Sequence, residues 1–104
     1  MKILNYTPHT IDIVTEGRII SIPSDGVARV TSSLSPVKKI NGIDIMKQEY
    51  GVVLGLPSQQ DNVYIIVSRM IYDAMDKRSD LLVVGESIRD NSGKVIGCKN
   101  LSRY

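Results

Sequence analysis

The sequence predicts a single domain, residues 1–104, of the α+β class: a mainly β protein with a small, mostly antiparallel sheet or open barrel and one short helix. Three observations lead to this prediction. Short apolar runs with a period of two are separated by turn pairs that contain glycine. Only one segment, near residues 68–76, has a helical period. The chain has no Phe and no Trp, so Ile, Val, Leu and Met must build its core, and 104 residues suffice for only one core.

The first half of the chain has the pattern of successive hairpins. Glu16-Gly17 separates the alternating apolar positions of "TIDIV" and "RIISI", and glycine allows the positive φ that a tight hairpin turn requires. A third strand is predicted over residues 27–31. Asn41-Gly42, between "VKKI" and "IDIM", is the strongest hairpin signal in the chain. The following "YGVVLGLP" predicts a bent strand whose glycines mark bulges or close backbone contacts.

The second half changes its period at Ser68. Residues 63–67 form a continuous apolar run, which predicts a strand buried on both faces, and Ser68 then stands where a helix N-cap is expected. An amphipathic stripe predicts a short helix with Tyr72 on its wetter side. The stripe consists of Met70, Ile71, Ala74 and Met75. Beyond the helix, "DLLVVG" and "KVIGC" predict two strands around the polar turn "ESIRDNSG".

Composition excludes several classes of function. The formal net charge is only +2, which is too small to produce the strong positive field with which proteins bind extended nucleic acid. The single Cys98 cannot form an intramolecular disulfide and fits a reducing cytoplasm, and one Cys with one His is too few for a structural zinc site. We therefore expect no metal and no cofactor, and the absence of a Walker A or GxGxxG motif agrees with this. We expect a protein that is neither exported nor membrane-spanning, because "MKILNYTPHT" has no apolar h-region before its proline and no apolar run is long enough to span a membrane.

His9 is the only histidine and stands in "LNYTPHT" near the N-terminus. Its imidazole titrates near neutrality, so it is a candidate general acid or base and a candidate donor to a phosphate oxygen. The alternative is structural. Pro8 restricts Thr7 to extended geometry, and a Thr-Pro-His-Thr segment can tie the start of a strand together through bonds from side chains to the backbone.

Two other places carry candidate anion-binding groups. Ser68 and Arg69 lie at the predicted junction of strand and helix, where free N–H groups favour a phosphate, although an ordinary N-cap followed by a solvated arginine explains the same residues. Arg89 beside Asp90 presents a planar guanidinium that suits a carboxylate or a phosphate. The alternative for this second place is a surface ion pair of little energetic value.

Four segments together resemble a family of small accessory proteins of tailed phages and prophages. They are "LNYTPHTIDI", "GLPSQQDNVYIIVSRMI", "DLLVVG" and "IRDNSGKVIGC". The family pattern begins with L-N-x-T-P-H and continues with G-L-P, a Y-I-V-S strand and an R-D-x-x-G-x-V-I-G turn. The similarity spans most of the chain except residues 23–48, and it departs from the pattern at Tyr6, where Leu is usual, and at Val84, where Pro is usual.

The resemblance implies a phage-encoded protein that is made in the host bacterial cytoplasm. Analogy with small counter-defence proteins implies that it sequesters a nucleotide-derived immune signal, either a cyclic ADP-ribose type of molecule or a cyclic dinucleotide. The expected partner is thus a small phosphorylated nucleotide, with no extended nucleic acid and no membrane involved. Short strands leave free edges, so we also expect a homo-oligomer.

The predicted site is a ligand-binding pocket without assigned catalytic residues. Its predicted residues are Thr7, His9, Ser68, Arg69 and Arg89. His9 is expected at the pocket mouth, within reach of Arg69 or Arg89. Two alternatives remain open at the level of sequence: a phosphodiesterase that uses His9 as acid or base, and a host-protein-binding inhibitor that docks through a strand edge or through a face formed by Met70 and Met75.

Overall fold

The computed structural model describes residues 1–104 and contains ten strands and one helix, arranged in three sheets. The elements are β1 (Lys2–Asn5), β2 (Ile11–Thr15), β3 (Arg18–Ile22), β4 (Arg29–Ile40), β5 (Ile43–Leu54), β6 (Val63–Ile66), α1 (Arg69–Ala74), β7 (Leu81–Val84), β8 (Ser87–Arg89), β9 (Val95–Cys98) and β10 (Leu101–Ser102). The predicted class is confirmed: the protein is mainly β with one short helix, and its sheets do not close into a barrel.

The central sheet has the strand order β1-β6-β7-β10. Strands β1, β6 and β7 run parallel, and only β10 is antiparallel to its neighbour. The parallel pairing of β6 and β7 follows from α1, because a helix between two strands returns the chain to the starting edge of the sheet. Ile65 and Ile66 of β6 are almost completely buried, which confirms the prediction of a strand covered on both faces.

The second sheet, β3-β2-β9-β8, contains the predicted first hairpin. Ile13 pairs with Ile20, and both turn residues Glu16 and Gly17 have positive φ. The prediction for "ESIRDNSG" was partly wrong. Its first half forms β8, which pairs with β9 and half-buries Ile88, so only residues 90–93 remain as a turn.

The third sheet is a two-stranded hairpin of β4 and β5. Asn41 and Gly42 form its turn with φ of 50° and 79°, as predicted. Each strand is twelve residues long, so the segments predicted as separate short strands join into one ribbon. Gly51 permits a close approach within it, because a Cβ at this position would overlap the hydroxyl of Thr31.

The helix α1 packs on a core formed by residues of several elements: Ala28, Ile65, Val67, Ile71, Tyr72, Leu81 and Val83. Ser68 is its N-cap, as predicted, and accepts a hydrogen bond from the N–H of Ile71. The predicted position of Tyr72 on the wetter side was wrong. Its side chain is 1% exposed, whereas Met70 is 41% exposed. Burial of Tyr72 is tolerated because its hydroxyl has main-chain partners at Tyr104.

Candidate functional site

The candidate site lies at the carboxyl ends of the three parallel strands. Asn5 of β1 pairs with Ile66 of β6, and Ile66 is aligned with Leu82 of β7. Two residues beyond these positions are Thr7, Ser68 and Val84, which line one cleft together with Arg69 and Tyr104. We call this the Arg69 cleft, and its volume is about 240 Å³. Parallel register therefore brings together three of the five predicted site residues.

The loop that delivers Thr7 is organised around the buried side chain of Asn5. Its Nδ2 donates to the carbonyl oxygens of His9, at 2.8 Å, and of Ile22, at 2.9 Å. Its Oδ1 accepts from the N–H of Thr7 at 2.9 Å and from the Thr7 hydroxyl at 2.7 Å. The side-chain amide of Asn5 thus donates two hydrogen bonds and accepts two. Asn5 is a structural residue of this loop, and sequence reasoning missed it.

Thr7 is 9% exposed. Its hydroxyl oxygen lies 2.7 Å from Asn5 Oδ1 and 3.1 Å from the carbonyl oxygen of His9. The single hydroxyl proton is therefore engaged within the loop, and Thr7 can offer a ligand only an acceptor lone pair. Ser68 differs. Its oxygen accepts the capping bond from Ile71, at 3.3 Å, while its proton stays available to donate to a ligand at the cleft.

Arg69 supplies the positive charge of the cleft. Its Nε donates to both carboxylate oxygens of Asp73, at 3.2 and 3.3 Å, and this hydrogen bond is the main reason why the pKa of Arg69 is raised further above its ordinary value. The Asp73 bonds use Nε alone, so they leave the two terminal nitrogens of the guanidinium to other partners, of which Tyr104 is one. The side chain is 55% exposed, so the guanidinium is a permanent cation that a ligand can reach.

Tyr104 completes the cleft with an aromatic surface. The guanidinium carbon of Arg69 lies 4.2 Å from the centre of the Tyr104 ring, which is a cation–π contact. The main chain of Tyr104 is held by the buried hydroxyl of Tyr72, which donates to its oxygen at 2.9 Å and accepts from its N–H. The two rings meet edge to face at 6.1 Å. No local pattern in the sequence indicates that Tyr104 would reach Arg69, so sequence reasoning missed it.

His9 lines a different cavity, of about 300 Å³, which we call the His9 cavity. Most of its surface comes from β2 and β9, including Ile11, Ile96 and Cys98. Neither Arg69 nor Arg89 lines it, although Val84 borders both this cavity and the Arg69 cleft. Burial raises the pKa of the Cys98 thiol, whose sulfur lies 3.6 Å from the carbonyl oxygen of Asp12.

Arg89 lies apart from both cavities, as the last residue of β8 before the turn to β9. Its Nη1 donates to the carbonyl oxygen of Gly93 at 2.8 Å. Asp90 does not pair with it. The Asp90 carboxylate instead accepts from the hydroxyl and N–H of Ser92 and from the N–H of Lys94, and the bond from the Ser92 hydroxyl is the main reason why its pKa is lowered. The polar side chains of Arg89 and Asp90 in "RDNSG" therefore have their hydrogen-bond partners within the same turn.

The Arg69 cleft thus offers a cationic fork, a hydroxyl donor, a hydroxyl acceptor and an aromatic ring. These groups can bind a phosphate and stack on a planar ring. No three His, Cys, Asp or Glu side chains lie close enough together to hold a metal ion. Nothing helical in the fold has the length and hydrophobicity needed to cross a bilayer.

Comparison of the chain with protein-family models, with curated proteins and with solved structures gave no match.

Proposed function

We propose that this chain is a phage-encoded accessory protein that acts in the host bacterial cytoplasm and sequesters a nucleotide-derived immune signal, of the cyclic ADP-ribose type or a cyclic dinucleotide. One observation carries the proposal: Arg69, whose guanidinium lies against the ring of Tyr104, lines one cleft together with Tyr104 and Ser68. A phosphorylated nucleotide has the matching groups, since its phosphate suits the guanidinium fork and its base suits the aromatic surface.

The size of the cleft favours a ligand that extends beyond it. At about 240 Å³ the Arg69 cleft holds a phosphate and part of a sugar. Val84 also lines the His9 cavity, which has mostly apolar walls. A cyclic nucleotide with phosphates in the Arg69 cleft therefore extends over Val84 towards His9, where the imidazole can donate to a second polar group of the ligand.

Thermal unfolding in the presence of candidate nucleotides tests this proposal. A ligand that binds only the folded chain stabilises it by about 2.7 kcal/mol at one hundred times its Kd. We expect stabilisation by at least one member of a panel of cyclic dinucleotides and cyclic ADP-ribose isomers. Recovery of that nucleotide intact after the protein is denatured supports sequestration, and recovery of a cleaved product supports the phosphodiesterase alternative.

Arg69→Ala is the decisive variant, and Arg89→Ala is its matched control. Both arginines are exposed, but only Arg69 lines the cleft. We expect Arg69→Ala to weaken nucleotide binding by about 1.5–3 kcal/mol, the usual contribution of a hydrogen bond to a charged group, and Arg89→Ala to leave binding unchanged. Equal loss in the two variants would contradict the assignment of the cleft. Absence of stabilisation by every nucleotide in the panel would contradict the proposed function.

A further inference from the structure

The hairpin of β4 and β5 exposes apolar side chains along its whole length. None of its residues is buried, and both Leu34 and Ile43 are 64% exposed. The other large apolar side chains exposed on it are Val37, Ile40, Ile45, Met46, Tyr50, Val52 and Leu54. Nine large apolar side chains exposed on one hairpin of a small protein indicate an interaction surface.

The total surface of the chain leads to the same conclusion. Its accessible area is 7263 Å², whereas a compact monomer of 11.5 kDa is expected to expose about 5,800 Å². Its radius of gyration is 16.6 Å, against about 13 Å for a compact domain of this length. The excess area is about 1,500 Å². A stable interface covers about 800 Å² of each partner, or more when the assembly is permanent.

We propose that a second copy of this chain covers the hairpin, through antiparallel pairing of the free edges of the two β5 strands. The edge of β4 is unsuited to pairing, because Pro36 has no N–H and the register shifts beside Val37. On β5 every residue from Ile43 to Tyr50 has a partner on β4, the extra residue of the irregularity at Val37 belongs to β4, and β5 contains no proline, so its outer edge is an open template. The exposed apolar side chains of the β4–β5 hairpin favour an occupant that is present whenever the protein is folded, and a second copy of the chain meets this condition.

The charges on β5 are complementary to themselves. A two-fold axis beside Gln48 places Lys47 opposite the partner's Glu49, twice, and on the other face it places Met46 opposite the partner's Tyr50. Lys47 has no carboxylate partner within its own chain. The same alignment lays the tip of each hairpin, with Ile43, beside the base of the other hairpin. This contact buries apolar side chains on the faces of the hairpins, in addition to the hydrogen bonds between the two β5 edges.

Light scattering of the full chain at high micromolar concentration tests the proposal. We expect the wild type to have the mass of a dimer or of a multiple of dimers. Met46→Glu should weaken association by at least tenfold, whereas the matched control Met70→Glu should not, since the two methionines are 44% and 41% exposed and only Met46 lies on the hairpin. A monomeric wild type, or equal loss of association in the two variants, would overturn the proposal.

Hydrogen–deuterium exchange of the wild type gives a test that requires no variant. At high protein concentration the amides of residues 44–50 should exchange slowly, because alternate N–H groups of the outer edge then bond to the partner. Dilution below the dissociation constant should speed their exchange, while the amides of β6 stay protected. Exchange of residues 44–50 that does not depend on concentration would count against the second copy. This outcome is independent of whether any nucleotide binds at the Arg69 cleft.

Discussion

The side-chain oxygen of Asn5 accepts hydrogen bonds from both the N–H and the hydroxyl of Thr7, at 2.9 and 2.7 Å, and both residues are buried. The same amide donates to the carbonyl oxygen of His9. The "TPHT" segment therefore takes its shape from Asn5 and from its own main chain. The imidazole of His9 takes no part in these bonds and is exposed.

Asn5→Ala should strongly destabilise the protein. The substitution leaves the buried N–H of Thr7 and the partly buried carbonyl oxygen of Ile22 without this partner, and each unsatisfied buried group costs about 1–3 kcal/mol. The carbonyl oxygen of His9 loses one of its two partners and keeps the Thr7 hydroxyl. We expect the free energy of unfolding, measured with urea, to fall by about 3 kcal/mol or more. Asn91→Ala, at an exposed turn position, is the control and should change it by less than about 0.5 kcal/mol. A loss of similar size in both variants would show that the loop does not depend on this amide.

His9→Ala separates the role of the imidazole from that of the loop. The loop bonds use the carbonyl oxygen of His9, which alanine retains, so we expect the free energy of unfolding to stay within about 0.5 kcal/mol. On the proposed function, binding of a cyclic nucleotide should weaken by about 1–3 kcal/mol in calorimetry, because one hydrogen bond to a charged ligand is lost. A destabilised variant whose folded fraction binds normally would show instead that the residue is structural.

Tyr72→Phe should loosen Tyr104. The substitution removes the hydroxyl that bonds to both the N–H and the oxygen of Tyr104, and the expected cost is about 1–2 kcal/mol of unfolding free energy. Because Tyr104 lies against the guanidinium of Arg69, nucleotide binding should weaken as well. Tyr64→Phe, at a half-buried position of β6, is the control and should change neither the thermal unfolding nor the nucleotide binding. Indistinguishable results for the two variants would mean that the Tyr72 hydroxyl does not hold the cleft together.

Stability should fall in alkaline solution because of Cys98. Burial raises the pKa of this thiol above its ordinary value of 9.0 in the folded state, so the folded chain retains the proton that the unfolded chain loses. The contribution is fully present below pH 9.0 and is lost as the pH rises through the folded pKa. The free energy of unfolding should therefore decline more steeply above this pH in the wild type than in Cys98→Ala. Parallel curves would show that the thiol does not titrate differently on unfolding.

Charge exchange on β5 tests the alignment of the two copies. Lys47→Glu alone and Glu49→Lys alone each replace two attractive contacts between copies by two repulsive ones, and each should raise the dissociation constant by about tenfold. The double variant Lys47→Glu/Glu49→Lys restores opposite charges and should recover association in analytical ultracentrifugation. Additive weakening in the double variant would rule out the axis beside Gln48.

Local sequence was sufficient for those elements whose signals are local. The turns at Glu16-Gly17 and Asn41-Gly42 depend on which residues tolerate positive φ, and the N-cap at Ser68 depends on a hydroxyl that reaches three residues ahead. The buried strand at residues 63–67 was predictable from its unbroken apolar run. The length of the β4–β5 ribbon was not, because the polar residues in its middle match those of loops, and only pairing between the two strands makes them extended.

The site depended on contacts that no local pattern records. Thr7, Ser68 and Val84 meet because β1, β6 and β7 pair in parallel register, although these strands are far apart in the chain. Arg69 and Tyr104 meet because the buried hydroxyl of Tyr72 holds the main chain of Tyr104 beside the helix. The same physics separates His9 and Arg89 from the cleft, since the carbonyl of His9 is bound to Asn5 and the guanidinium of Arg89 closes its own turn. Residue types thus determined which groups were available for chemistry, and long-range backbone pairing decided which of them share a cleft.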